Sequence, residues 1–153
     1  MIEQVDWGDE AVERLIPHRA PFRFLGRIHA WSMDEPFLHG SLEVEPDDPI
    51  VAGHFPGEPI WPGVCTIEGL AQACAALSAL LAGAEASGRG GRSVLAAVNV
   101  RLIAPVLPPA HLEYRVWLGT QLAGVRSFRV EASVGAALVA RGTLTAGHLP
   151  GDG

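Results

Sequence analysis

Between Val64 and Gly83 nearly every position is apolar or small, and Ile67, Leu70, Ala71, Cys74, Leu77, Ser78 and Leu81 recur at spacings of three and four. That is the period of an α-helix. Apolar round most of its circumference, such a helix belongs in a core. Glu68 is the only formal charge between Pro59 and Ala84, and Gln72 follows it four residues later. A carboxylate on a buried helix needs a raised pKa or a dedicated partner. His54, in the Pro- and Gly-rich loop that ends where the helix begins, is the nearest titratable candidate. No membrane span is expected: the uninterrupted apolar part, Ala73 to Ala84, is too short for a bilayer, and Glu68 and Gln72 break the longer version.

Elsewhere the pattern has period two. Leu38, Leu42 and Val44 alternate with His39, Ser41, Glu43 and Glu45, which marks a half-buried strand from Phe37 to Glu45. An apolar run from Phe22 to Trp31 reads as a strand before it. Four more strands follow the long helix: Val94 to Ile103, Leu112 to Thr120, Ser127 to Val134 and Ala137 to Ala146. At the start, Asp9 is placed to cap a short helix, Glu10 to Ile16, that Pro17 stops. Ala84 to Ser93 reads as an exposed loop, and 147–153 as a frayed tail. The order is therefore short helix, two strands, long apolar helix, four strands. A single α+β domain over 1–153 satisfies it, with an antiparallel sheet curling round one central helix.

Composition narrows the function classes. Net charge is −6 and the pI is near 5.4, which argues against general nucleic-acid binding. The charge is uneven: residues 1–58 carry twelve acids and four arginines, and residues 59–153 carry five acids and seven arginines. An acidic partner should meet the second half. A mean hydropathy of +0.23 suggests apolar surface buried in an oligomer. Cys65 and Cys74 lie nine positions apart on one helix, roughly 13 Å along its axis and on opposite faces, so they cannot pair. Both read as small buried hydrophobes. His29, His39, His111 and His148 lack metal-ligand spacing and read as surface residues. The first residues lack the basic-then-apolar pattern of a signal peptide, which makes cytoplasm the default.

Three blocks carry a resemblance. They are Pro17-His18-Arg19-Ala20-Pro21-Phe22 with Leu25-Gly26-Arg27, then Gly53-His54-Phe55-Pro56-Gly57-Glu58-Pro59-Ile60-Trp61-Pro62-Gly63-Val64 with Ile67-Glu68-Gly69-Leu70-Ala71-Gln72, and finally Ala96 to Arg101 through Pro105-Val106. Together they resemble the FabZ-like 3-hydroxyacyl-[acyl-carrier-protein] dehydratases, which have the hot-dog fold. The resemblance implies that His54 is the general base taking the C2 proton of a 3-hydroxyacyl thioester. It makes Glu68 the acid that protonates the departing 3-hydroxyl. Base and acid would come from different subunits of a homodimer or higher homo-oligomer, and the acyl carrier protein would be the partner. The Gly63 N–H becomes the donor to the thioester oxygen. Phe55, Pro56, Val64 and Gln72 join it as substrate contacts, with Gln72 also orienting Glu68 or a loop. No metal or cofactor is implied.

The chemistry suits these residue types. Abstraction alpha to a thioester needs a base near neutral pH, the leaving hydroxyl needs a proton donor, and the enolate oxygen needs preorganised N–H groups such as a helix N-terminus offers. A hot-dog thioesterase would not call for the His54 loop, and a non-catalytic acyl-binding subunit would not call for both His54 and Glu68. Some positions depart from the family. Leu102, Ile103 and Ala104 stand where basic residues are common, leaving Arg89 and Arg92 as candidates to meet an acidic carrier. Gly69 replaces Ala, which would make room for an unusual acyl chain.

Overall fold

The apolar run of the long helix is α3, Gly63–Leu81, entered through Pro62 as its N-cap. Leu70, Ala73, Ala76 and Leu77 on it are fully buried. The computed structural model describes residues 1–83 and 92–149. Ahead of α3 come β1 (Glu3–Trp7), α1 (Asp9–Leu15), β2 (Arg27–Ser32), β3 (Phe37–Val44) and α2 (Pro49–Ala52). After it come β4 (Arg92–Leu102), β5 (Ala110–Leu122), β6 (Val125–Val134) and β7 (Ala137–Leu149). The seven strands form one antiparallel sheet in the order β1-β2-β3-β5-β6-β7-β4.

One face of that sheet is the core. Leu112, Tyr114 and Val116 of β5 alternate inward, and their cross-strand neighbours Ala132 and Val130 on β6 are equally buried. Helix α3 packs on β3 and β5, near the middle of the sheet, and on β4 at its far edge. The sheet therefore wraps the helix, as expected for the α+β hot-dog class. Length and composition alone would let α3 cross a membrane. Its packing against the sheet accounts for its apolarity instead.

Several boundaries differ from the pattern, each for a local reason. The run from Phe22 is not strand until Arg27, because the N–H groups of Phe24 and Leu25 bond to the Gln72 side chain rather than to a neighbouring strand. Strand β1 was not expected: it is a mostly exposed edge strand whose acidic positions mask the contribution of Val5 and Trp7 to the core. Asp9 is the first residue of α1 rather than its cap, and its carboxylate bonds Arg23 at 2.9 Å. After β3 the chain forms α2, capped by Asp48, whose Oδ1 accepts from the Ile50 N–H at 2.9 Å. Residues 147–149 belong to β7, paired with the start of β4, rather than to a frayed tail. The loop expected at Ala84 to Ser93 lies mostly outside the described residues, Arg89 included, and its end is the beginning of β4.

Strand β4 is an edge strand with apolar side chains in solvent. Val94, Leu95, Val98 and Leu102 are 38–52% exposed, and Ile103 and Leu107 beyond it are 46% and 60% exposed. An unpaired, apolar edge of this length invites another chain.

Candidate active site

The loop between α2 and α3 holds His54 rigidly. His54 N–H donates to Val51 O, Ile60 N–H donates to His54 O, and Phe55 and Glu58 exchange two backbone bonds, all at 2.8–2.9 Å. Trp61, only 2% exposed, anchors the end of the loop through its N–H to Val106 O and its edge-on contact with Phe24. The imidazole Nδ1 of His54 lies 2.9 Å from Ile60 O. A carbonyl only accepts, so Nδ1 carries the hydrogen and Nε2 presents a lone pair. Phe55 stacks on the ring at 4.1 Å and is half exposed, and Pro56 follows it on the surface.

The first turn of α3 supplies donors. Cys65 and Thr66 N–H groups return to Pro62 O, while Gly63 and Val64 precede any carbonyl they could reach within the helix. Their N–H groups sit at the positive end of a 19-residue helix. A Cβ at Gly63 would lie 2.4 Å from Leu102 Cδ1, so the exposed Leu102 side chain would have to move to admit one. Val64 beside it is 71% exposed.

One turn on, Glu68 borders a cavity of about 70 Å³ together with His18, Ala71, Cys74, Ala75, Ser93, Leu95 and Phe128. Gln72 Nε2 donates to Glu68 Oε2 at 2.9 Å and to Phe22 O at 2.9 Å. Gln72 Oε1 accepts from Phe24 N–H at 2.7 Å and Leu25 N–H at 3.2 Å. The expectation of a substrate contact at Gln72 is thereby corrected: its amide is fully buried, and all four of its hydrogen bonds end within the chain. It positions Glu68 and the 22–25 segment. The titratable neighbour of Glu68 also differs from the expected His54. It is His18, with Nε2 at 3.7 Å from Glu68 Oε2.

His54 and Glu68 thus belong to two separate features of one chain, since His54 is not among the residues that line the Glu68 cavity. Other expectations fare differently. Arg19 fixes the N-terminal segment, bonding the carbonyls of Glu13, Ile16 and His18 and the carboxylate of Glu13. Gly69 makes room for Tyr114 rather than for an acyl chain: a Cβ there would lie 2.1 Å from the Tyr114 hydroxyl, which donates to Phe24 O. His29 and His39 are half-buried rather than on the surface. Their rings lie 4.9 Å apart on the outer face of the sheet, with His39 on Glu113, His29 on Ser41, and His111 on Glu43 beside them. Among the described residues no group of three or more His, Cys, Asp or Glu side chains is arranged to hold a metal ion. Burial pushes both thiols up, Cys74 well above its ordinary range and Cys65 less, so neither is an activated nucleophile.

The FabA-like domain family matches residues 16–143, which include the His18 segment, the His54 loop, Glu68 and Gln72. The chain belongs to that family. It is 34% identical over 137 residues to the 3-hydroxyacyl-[acyl-carrier-protein] dehydratase FabZ of Rhizobium rhizogenes, covering 88% of this chain and 83% of that protein. The FabZ of Agrobacterium fabrum is 36% identical over 141 residues, covering 91% of this chain and 88% of that protein. Among solved structures, this FabA-like chain superposes on the dehydratase heterocomplex ApeI:P from Xenorhabdus doucetiae with a TM-score of 0.76 and 23% identity, over 90% of each chain. It also superposes on the fluoroacetyl-CoA thioesterase FlK with a TM-score of 0.61 and 17% identity, covering 76% of this chain and 87% of that one. Both likenesses are of fold.

Proposed function

We propose that the chain removes water from a 3-hydroxyacyl thioester carried on an acyl carrier protein, giving the trans-2-enoyl thioester, and that two copies of the chain build each site. The supporting observation is the division just described. Glu68, held by Gln72, faces a cavity that His18 lines but His54 does not, and His54 presents a free Nε2 elsewhere. A cavity of about 150 Å³ accommodates one benzene, so the 70 Å³ here is too small for an acyl chain and needs a second wall. The exposed apolar side chains of β4 are where a second copy would supply it.

In the joined site, Nε2 of His54 from one copy takes the C2 proton, and the Nδ1–H bond to Ile60 O steadies the imidazolium that forms. Charge developing on the thioester oxygen falls on the N–H groups at the start of α3. The C2–H electron pair becomes the double bond as the C3–O bond breaks. Glu68 of the other copy gives its proton to the departing oxygen, which leaves as water. Phe55 and Val64, both exposed, would line the approach for the acyl carrier's thioester arm.

The test is mass spectrometry of a carrier-bound 3-hydroxyacyl substrate with wild type, His54→Ala, Glu68→Gln and a mixture of the two variants. Wild type is expected to release water and keep the thioester, each variant alone to be inactive, and the re-associated mixture to recover about a quarter of wild-type activity, because half the dimers then hold one intact site. Silence in the mixture would refute the shared site. Release of the acyl group would make the chain a thioesterase instead.

A further inference from the structure

His18 lies between α1 and β2, and its ring lines the same cavity as Glu68. Its Nε2 faces Glu68 Oε2 across 3.7 Å, and both side chains are 24% exposed. That gap is beyond hydrogen-bond reach. Across the ring, Nδ1 is buried with no partner. A neutral imidazole has one N–H and one bare nitrogen. With the hydrogen on Nδ1, a buried donor would stand unpaired and the Nε2 lone pair would face the carboxyl oxygen. With the hydrogen on Nε2, only a bare acceptor is orphaned and an N–H points at Glu68. Burial lowers the pKa of His18 from its ordinary 6.5, against the pull of Glu68 and with help from Arg19, which keeps the ring neutral near pH 7.

Gln72 already donates to Oε2 at 2.9 Å. A second donor held roughly 1 Å too far behaves differently: it does little for the neutral acid, and it closes to a charge-assisted bond once the carboxyl has lost its proton. We propose that His18 is a positioning residue for Glu68, whose Nε2–H moves onto Oε2 as Glu68 passes its proton to the departing hydroxyl. The proposal rests on Glu68 being the acid. In that step the Glu68 O–H bond breaks, its proton joins the 3-hydroxyl oxygen, that oxygen keeps the C3–O electron pair, and His18 retains its own proton. A bond made only to the carboxylate favours the transition state over the ground state, so it acts on kcat rather than KM. Among the described residues, the other titratable groups that feel Glu68 are Cys65 on its own helix and Tyr114 from β5, and burial raises the pKa of both so that they stay neutral.

Two measurements test this. In wild type labelled with ¹⁵N-histidine, the nitrogen shifts of His18 are expected to report the Nε2–H tautomer. An Nδ1–H tautomer would overturn the proposal, whatever the protein's activity. Kinetically, His18→Phe is expected to lose about tenfold in kcat with KM little changed, and the alkaline limb of its rate profile to move up by about one pH unit, with His18→Gln restoring most of both. A wild-type limb in His18→Phe, or a His18→Gln variant as slow as His18→Phe, would show a packing role only. Were His18→Phe to unfold, the nuclear magnetic resonance arm decides. Absence of dehydration by the wild type would instead remove the proposed function while leaving the tautomer result to stand.

Discussion

Gln72→Met removes four hydrogen bonds while keeping the volume of a fully buried side chain, so it isolates the polar role of this residue. It leaves Phe24 N–H and Leu25 N–H as buried donors without acceptors, and strips Phe22 O and Glu68 Oε2 of a donor. An orphaned buried group costs about 1–3 kcal/mol. The last two groups reach solvent in part, so most of the loss comes from the two amides, for a total of about 3–5 kcal/mol. That is a large share of a typical stability of about 5–15 kcal/mol. For a chain of this length it corresponds to a melting temperature lower by about 10 °C. Thermal and urea unfolding at fixed protein concentration measure it, since association would add a concentration term. Gln72→Glu separates the two ends of the amide: it keeps an acceptor for the two N–H groups but loses both donors and places a carboxylate against Glu68. It should retain more stability than Gln72→Met yet lose dehydration. A Gln72→Met protein within 1 kcal/mol of wild type, on the order of one ordinary hydrogen bond, would refute the claim that this amide ties the 22–25 segment to α3.

Gly69→Ala would gain about 1 kcal/mol of helix propensity, but its Cβ would fall 2.1 Å from Tyr114 Oη and 2.4 Å from Cζ, so a net loss of about 1–3 kcal/mol is expected by thermal unfolding. Tyr114→Phe should fail to rescue it, because Cζ remains. Burial is the main cause of the lowered pKa of His29 and of His39, so their contribution to stability is complete above the unfolded value of 6.5 and is lost as pH falls through the lower folded values. Urea midpoints should therefore fall between neutral pH and about pH 5, and His29→Gln with His39→Gln should flatten that slope; an unchanged slope would count against it. Cys74 is expected to stay unreactive to a thiol reagent until the protein unfolds, with Cys65 slower than a free thiol. Rapid native-state labelling of both cysteines would contradict their burial.

The period of three and four in Val64 to Gly83 was enough to read α3 and, with the alternation after it, the wrapped sheet, because both patterns report which side chains leave water. What the pattern hid was every place where a side chain replaced the backbone as hydrogen-bond partner. Phe22 to Gly26 has the composition of a strand, but its Phe24 and Leu25 amides are taken by Gln72 from 48 and 47 residues away, and no local window contains that acceptor. Gly69 reads as vacant space in one dimension; only the approach of Tyr114 from β5 fills it. His18 shows the same limit at the site itself. Thirty-six positions separate it from His54, the partner that proximity in the chain suggested for Glu68, yet the sheet and α3 bring His18 to 3.7 Å of Oε2 and leave His54 on another feature. The motif containing His18 signalled that the segment mattered without saying to what. A cavity that joins Glu68 to His18 from a distant stretch, and leaves His54 outside it, is legible only once the fold has closed, and the exposed β4 edge is where a second copy would dock and bring its own His54.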